Sequence, residues 1–303
     1  MSKLTVLDLF CGAGGLSLGF AKAGFDVKAV DYLDEVPSIF QRNGIGEAQV
    51  KNLHHQSING GYDVVVGGPP CRPWSSVNLT KRGEDHQSYR YITRFASHVL
   101  LNRPAMFLME NVPPARRLAT QVGRRLSNAG YDVRSRIFRY SDYGAPTSRR
   151  RLFLWGVKAG SAAEFETELV RYERPARTVR EAISHLSKIK RGAAPDHDYP
   201  DFQTIESYMD RYESGQYGWY RLAWDRPAPS FGNIMKTYTL HPESWDNRPT
   251  RVLSVKEALL LMGFDREFSF PPDLGIALRY QMVADSVSPV FSHAAAKSIR
   301  QML

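Results

Sequence analysis

Cysteine is scarce in this chain, and long apolar runs are missing from it. Two cysteines in 303 residues, Cys11 and Cys71, match neither a zinc-ligand spacing nor a disulfide framework. No apolar run approaches the ~20 residues that a membrane span needs, and the start, MSKLTVLDLF, lacks the apolar core of a signal peptide. We therefore expect a cytoplasmic protein with reduced thiols, no metal site and no membrane contact.

Acidic residues are outnumbered by basic ones. The chain has 40 Lys and Arg against 31 Asp and Glu, a formal charge of +9 at pH 7. This excess favours a polyanionic partner, although charge alone does not identify it. A chain of this length can form one large domain, or a large and a small one.

The first half of the sequence alternates between strand-like and helix-like segments. The predicted strands are TVLDLF (5–10), FDVKAVD (25–31), YDVVVGG (62–68) and AMFLME (105–110). Continuous apolar strands separated by helices predict a parallel α/β sheet that is covered on both faces. The segment YDVRSRIFRY follows a further helix-like segment and predicts another strand. RRLFLWGV, from Arg150, follows YDVRSRIFRY after a short loop without a helix, so we predict that it runs antiparallel.

The periodicity weakens after about residue 160, where Tyr, Arg, Asp and Pro are frequent. We predict a large domain over 1–159, a smaller irregular domain over 160–270, and a segment 271–303 that returns to the large domain. LSVKEALLLMGF (253–264) is typical of a helix, with Ser254 as N-cap, Glu257 three residues later and Gly263 near the end. SPVFSHAAAKSIRQML predicts a closing helix.

A glycine-rich turn lies between the first strand and a helix in DLFCGAGGLSLGF (8–20). Such a turn is either a tight strand–helix connection or a site where a backbone approaches a nucleotide-type cofactor. Asp31 favours the cofactor, because it ends the second strand, where dinucleotide-type folds place an acid on ribose hydroxyls. Tyr32 either lies against a base or is an exposed turn residue.

Chemically active side chains converge on one edge of the predicted sheet. Cys71, Glu110 and Asp31 each follow a parallel strand, at the edge where open α/β sheets bind ligands. Arg149 and Arg151 join that edge if the last strand is antiparallel. A thiolate, an acid and arginines suit nucleophilic attack on an electron-poor ring. Taken singly, these residues could equally be an inert turn thiol, a surface acid and a solvated basic turn, and Cys11 is best explained as a packed small residue.

Six segments together resemble the ordered signature blocks of C5-cytosine DNA methyltransferases. They are DLFCGAGG, GGPPC with Ser75, ENV (110–112), YGAPTSRRR, RVLSVKEALLLMGF and YQMVADSVSP. The resemblance covers nearly the whole chain except about 160–245. It implies a Rossmann-like sheet that binds S-adenosylmethionine, and a target-recognition domain with its hinge over 160–270.

The resemblance also implies roles for individual residues. Cys71 would attack C6 of a flipped-out cytosine, Glu110 would protonate or hydrogen-bond N3, and Arg151, with Arg149 nearby, would hold the O2 side. Asn111 would brace the cysteine turn, and a loop over 72–90 would close on the base. The residues implied for S-adenosylmethionine are Phe10, Gly12, Ala13, Gly14, Gly15, Asp31, Tyr32, Pro70 and Ser286.

Some positions depart from the family pattern. Arg72 and Trp74 replace Gln and Phe, Thr147 replaces Gln, and Ala284 and Asp285 replace Gly and Asn; LHHQSINGG also offers no clear acid for the adenine amine. None of these changes removes a group that the reaction needs.

The expected substrate is double-stranded DNA, and the expected protein is a prokaryotic monomer. It would serve a restriction-modification system without forming a stable complex with the endonuclease. Two alternatives stay open, namely an RNA (tRNA) cytosine-5 methyltransferase, although no Cys-Phe-Thr triplet is present, and a non-catalytic DNA-binding relative. A nicotinamide dehydrogenase would leave the PPC and ENV segments unexplained.

Overall fold

A computed structural model describes residues 3–70, 89–246 and 250–303 of the chain. Cys71, Arg72 and Trp74, and almost all of the predicted loop 72–90, lie outside the described residues. The predictions made for them therefore remain predictions.

The described strands form one seven-stranded sheet in the order β3-β2-β1-β4-β5-β7-β6. Their bounds are β1 (Thr5–Leu9), β2 (Asp26–Asp31), β3 (Glu47–Val50), β4 (Val64–Gly67), β5 (Met106–Asn111), β6 (Asp132–Arg139) and β7 (Arg150–Val157). The first five strands pair in parallel. Strand β7 is antiparallel to both β5 and β6, which confirms the prediction for the last strand.

Helices cover both faces of this sheet. The α-helices in the described ranges of the whole chain are α1 (Gly15–Lys22), α2 (Val36–Asn43), α3 (Tyr89–Asn102), α4 (Arg116–Ser127), α5 (Ala163–Val170), α6 (Val179–Ile183), α7 (Met209–Glu213), α8 (Val255–Met262), α9 (Ile276–Asp285) and α10 (Pro289–Met302). The apolar sides of α3 and α4 pack on one face, in a buried cluster that includes Phe95, Leu118 and Leu152. On the other face, Phe291 of α10 contacts the rings of Phe138 and Phe153.

The chain divides into two compact units. The first contains Met1–Arg139, Arg150–Glu173 and Phe291–Leu303, and the second contains Tyr140–Arg149 and Arg174–Val290. The first unit holds the whole sheet. The functional division that the sequence suggested, into 1–159, 160–270 and 271–303, stays a prediction.

The second unit has little regular structure apart from its helices, and buried polar groups organise it. Ser254 caps α8 through a capping box with Glu257, and Gly263 ends the helix with φ 95°, as the sequence predicts. The Glu257 carboxylate is fully buried and accepts from both Nη atoms of Arg251, at 2.8 and 2.7 Å. Pairing with Arg251 lowers the pKa of Glu257 although burial opposes this.

The sequence analysis missed some elements. Strand β3 is a four-residue edge strand whose side chains are mostly exposed, so it has no apolar pattern to detect. Helices α5, α6, α7 and α9 also went unpredicted. No helix in the described ranges combines the length and the apolar character needed to cross a membrane.

Candidate active site and cofactor turn

The glycine turn after β1 has an unusual backbone. Phe10, Gly12 and Gly14 all have positive φ, at 62°, 51° and 78°, a region that glycine occupies readily and phenylalanine rarely does. The amides of Phe10 and Cys11 both donate to the Val30 carbonyl, which fixes the turn against β2. A Cβ atom on Gly12 would meet no heavy atom of the described residues within 4 Å, so none of them fills the space beside the turn there.

Asp31 joins the end of β2 to this turn. Its Oδ2 accepts from the Gly12 amide at 2.9 Å, and its Oδ1 accepts from the amides of Tyr32 and Leu33 at 2.7 and 3.2 Å. The residue is only 6% exposed, whereas its neighbour Tyr32 is 59% exposed. These hydrogen bonds hold the Asp31 carboxylate at the junction between β2 and the glycine turn.

Asp8 and Ser17, which the sequence did not single out, form a hydrogen bond that joins β1 to α1 on either side of the glycine turn. The Ser17 hydroxyl of α1 donates to Oδ2 of Asp8 in β1 at 2.5 Å, and both side chains are buried. Burial raises the pKa of Asp8 to about 7. An acid inside the apolar run TVLDLF is the sequence signal that could have revealed this hydrogen bond.

Cys11 is buried in the same turn, in agreement with its interpretation as a packed small residue. Burial raises the pKa of its thiol well above the ordinary value, and the nearby carboxyls of Asp8 and Asp31 add to this effect. The thiolate is the nucleophilic form of cysteine. Cys11 is therefore unsuited to nucleophilic chemistry.

The end of β4 leads the chain past Glu110. A Cβ atom on Gly67 would collide with the Leu9 carbonyl oxygen, and one on Gly68 would lie 3.1 Å from Oε2 of Glu110. The Asn111 amide nitrogen donates to the Pro69 carbonyl at 3.1 Å. Asn111 therefore holds the Pro69 carbonyl, two residues before Cys71 in the sequence, and its bracing of the cysteine turn itself stays a prediction.

Glu110 and Arg151 form an ion pair at the same edge. The Arg151 Nε lies 2.9 Å from the Glu110 Oε1, and the two side chains are 11% and 9% exposed. Glu110 lies near the end of β5, and Arg151 is the second residue of antiparallel β7. The topology therefore brings together two residues 41 positions apart, as the sequence predicts.

Arg149 and Ser286 belong to the second unit. The Arg149 guanidinium is 2% exposed and donates through Nη1 to the Phe231 carbonyl at 3.1 Å, and through Nη2 to the Ala284 carbonyl. Ser286 follows α9 and donates its hydroxyl to the Met282 carbonyl at 2.7 Å. Arg149 therefore binds the backbone at Ala284, two residues before Ser286 in the sequence. Its contact with the target base stays a prediction.

Two further side chains of the second unit, Trp219 and Thr147, are buried. Trp219 is buried and contacts the rings of Tyr208, Tyr212 and Tyr238, so it forms part of that unit's core. Thr147 is buried at a bridge to Ala228. In the described part of the chain, no group of three His, Cys, Asp or Glu side chains could hold a metal ion.

The mostly parallel sheet, the glycine turn after β1 and the acid at the end of β2 define a Rossmann-like methyltransferase fold. The family model for C-5 cytosine-specific DNA methylases matches residues 4–301, and the chain belongs to this family.

Similar proteins agree with this assignment. Type II methyltransferase M.MthTI of Methanothermobacter thermautotrophicus is 28% identical, over 99% of this chain and 98% of that protein. Type II methyltransferase M1.HphI of Haemophilus parahaemolyticus is 27% identical, over 99% and 87%. The solved structure of the Entamoeba histolytica methyltransferase EhMeth covers 100% of both chains with a TM-score of 0.73 and 18% identity, and so shares the fold.

Proposed function

We propose that this DNA (cytosine-5-)-methyltransferase acts on duplex DNA through Cys71, Glu110 and Arg151. The observation that carries the proposal is the buried Glu110–Arg151 pair at the edge of the sheet, with the Gly68–Pro70 backbone that leads to Cys71 passing beside it. An acid and a fixed guanidinium at this place suit a ring that gains electron density during the reaction.

The proposed chemistry begins at Cys71. Its thiolate forms a bond to C6 of the target cytosine, and the displaced electron pair is accommodated at N3, where Glu110 supplies a proton or hydrogen bond. Arg151 donates to O2 and holds Glu110 in place through the pair. Once C5 has taken the methyl group that S-adenosylmethionine would supply, the C5 proton leaves to water and its electron pair re-forms the C5–C6 double bond. The bond between C6 and Cys71 then breaks with its electrons returning to the thiolate, and any proton on N3 returns to Glu110.

The target base must leave the helix before this reaction. Cytosine C6 is unreachable inside a stacked duplex, and extrusion costs a few kcal/mol. We therefore propose that the enzyme flips the cytosine, and that residues 72–90 close over it.

We propose S-adenosylmethionine as the cofactor, since it supplies the methyl group when bound. The glycine backbone at Gly12, the Asp31 carboxylate bound to its amide and the exposed Tyr32 fit a nucleoside at this turn. The residues proposed to bind it are Phe10, Gly12, Ala13, Gly14, Gly15, Asp31, Tyr32, Pro70 and Ser286.

Replacement of Asp31 tests the cofactor site. Asp31→Asn should weaken S-adenosylmethionine binding about tenfold, because the amide loses the charge-assisted hydrogen bonds to ribose hydroxyls, while the rate at saturating cofactor changes less. Calorimetric titration of the cofactor measures this. Asp26→Asn, in the same strand with a half-exposed carboxylate beside Lys28, is the matched control. Equal affinities for the wild-type protein and Asp31→Asn would contradict the assignment.

Replacement of Arg149 separates two roles for this residue. Because Arg149 anchors the Ala284 carbonyl two residues before Ser286, we propose that it positions this segment rather than touching the base. Arg149→Met should raise the cofactor Kd several-fold and leave the single-turnover rate at saturating cofactor nearly unchanged. Arg149→Lys should restore part of the affinity. A fall in rate with unchanged cofactor affinity would instead support contact with the base.

The biological setting is also proposed. Relatives named as type II methyltransferases support a role in restriction-modification. We propose that the protein is a cytoplasmic monomer and that any cognate endonuclease forms no stable complex with it.

A further inference from the structure

Four arginines lie on elements that begin or end at the end of the sheet where β5 carries Glu110. Arg116 and Arg117 begin α4, Arg139 ends β6 and Arg150 begins β7. Arg139 and Arg150 are directly paired in the antiparallel register. The turn Pro113–Ala115, which leads from β5 into α4, packs on β7. The four residues are called the arginine cluster below.

The strand register gives the face on which Arg139 and Arg150 lie. Ile137 and Leu152 are paired and contribute to the apolar cluster beneath α3 and α4. Arg139 and Arg150 lie two residues along their strands from that pair, so their side chains leave the same face of the sheet. The arginine cluster is therefore on the α4 side of the sheet, while Arg151 starts from the opposite face.

The arginine cluster is exposed and has no counter-charge in the described structure. All four residues are exposed, and no ion pair joins any of them to a carboxylate in the described ranges. Like charges directly opposite on neighbouring strands are destabilising. No ion pair in the described ranges offsets the repulsion within the Arg139–Arg150 pair.

A pair of arginines on the other face of β6 shows the contrast. Arg134 and Arg136 alternate with the α4-facing residues, and both lie near the Glu166 carboxylate of α5, at 3.6 and 3.2 Å. The same strand therefore has a neutralising acid on one face, while its α4 face has none.

We propose that the arginine cluster binds phosphates of the duplex that flanks the target cytosine. The proposal rests on the proposed function, because it places the cluster on the DNA that is being methylated. Arginine forms charge-assisted, two-pronged hydrogen bonds to phosphate, and phosphate contacts set the position of a protein on DNA without reading sequence. A flank held here lies on the α4 side of the sheet, at the strand end where β5 carries Glu110.

The test compares two double variants with the same loss of charge. Arg139→Gln/Arg150→Gln removes half of the arginine cluster, and Arg134→Gln/Arg136→Gln is the matched control from the opposite face. The Kd for a 30-base-pair duplex, an illustrative length of roughly three helical turns, is measured over a range of salt concentrations, alongside thermal unfolding and the methylation rate at saturating DNA.

The cluster variant should bind the duplex about tenfold more weakly near 0.1 M salt. Its slope of log K against log salt should be shallower by about 1.8, the value for two lost phosphate contacts. Its Tm should be equal or higher, since the like-charge pair is gone, and its rate at saturating DNA should stay within about twofold. The control should keep the wild-type slope.

Equal slopes for the wild type and the cluster variant, with methylation intact, would overturn the cluster proposal alone. A slope that changes for tRNA but not for the duplex would also overturn it, in favour of RNA. A changed duplex slope in a protein that methylates no duplex would support the phosphate contacts and contradict the proposed reaction.

Discussion

Cys71→Ser should abolish methyl transfer while leaving duplex binding nearly intact. A free cysteine is a few per cent thiolate at neutral pH, whereas a serine hydroxyl is essentially un-ionised and far less nucleophilic. We expect the rate to fall by about four orders of magnitude or more, as for removal of other enzymes' nucleophiles, and the duplex Kd to change less than about threefold. Labelled methyl transfer and a binding titration measure the two quantities.

The second cysteine supplies the matched control. Cys11→Ala removes a buried thiol whose pKa is raised by burial, so the variant should keep its catalytic rate once folded. Turnover that survives in Cys71→Ser would refute the proposed nucleophile. Loss of turnover in a folded Cys11→Ala protein would indicate that Cys11, in the glycine turn, supplies a thiol that the reaction needs.

Glu110→Gln should lower the methylation rate by about 10² to 10⁴, the usual range for a positioned acid or base. The amide keeps the shape of the side chain and can still accept from Arg151, but it cannot supply a proton to N3. The loss should fall on the rate at saturating substrates, with the duplex KM little changed. Single-turnover kinetics on a defined duplex measures it.

Glu166→Gln is the control for Glu110→Gln. Glu166 also pairs with an arginine, Arg136 at 3.2 Å, but on α5 and away from the strand ends. Its replacement should leave the rate unchanged. A Glu110→Gln enzyme with a near-wild-type rate would show that the buried pair is structural.

The sheet and its site edge could be predicted because the relevant signals are local. Strands such as VVVG in β4 are continuously buried and therefore continuously apolar. The absence of a helix before β7 predicted an antiparallel strand, and that direction alone brings Arg151 to Glu110. Pairing of residues far apart in sequence followed from topology once the strand directions were known.

The surroundings of Arg149 could not be predicted in the same way. It immediately precedes β7 and is two residues from Arg151, so sequence proximity suggested one shared site. The structure instead buries it on carbonyl groups of Phe231 and Ala284, which come from distant segments without a periodic pattern. Similarly, a short exposed strand such as β3 and the buried Asp8–Ser17 bond arise from tertiary packing that local patterns do not encode.

The most direct test of the central claim is covalent trapping on duplex DNA that contains 5-fluorocytosine. Fluorine replaces the C5 proton, so the final elimination fails and the enzyme should stay attached. We predict a methylated adduct whose peptide map places the DNA on Cys71, and no adduct with Cys71→Ser. Duplex that is bound without any adduct or methyl label, an adduct on another residue, or label found in tRNA instead would contradict the account.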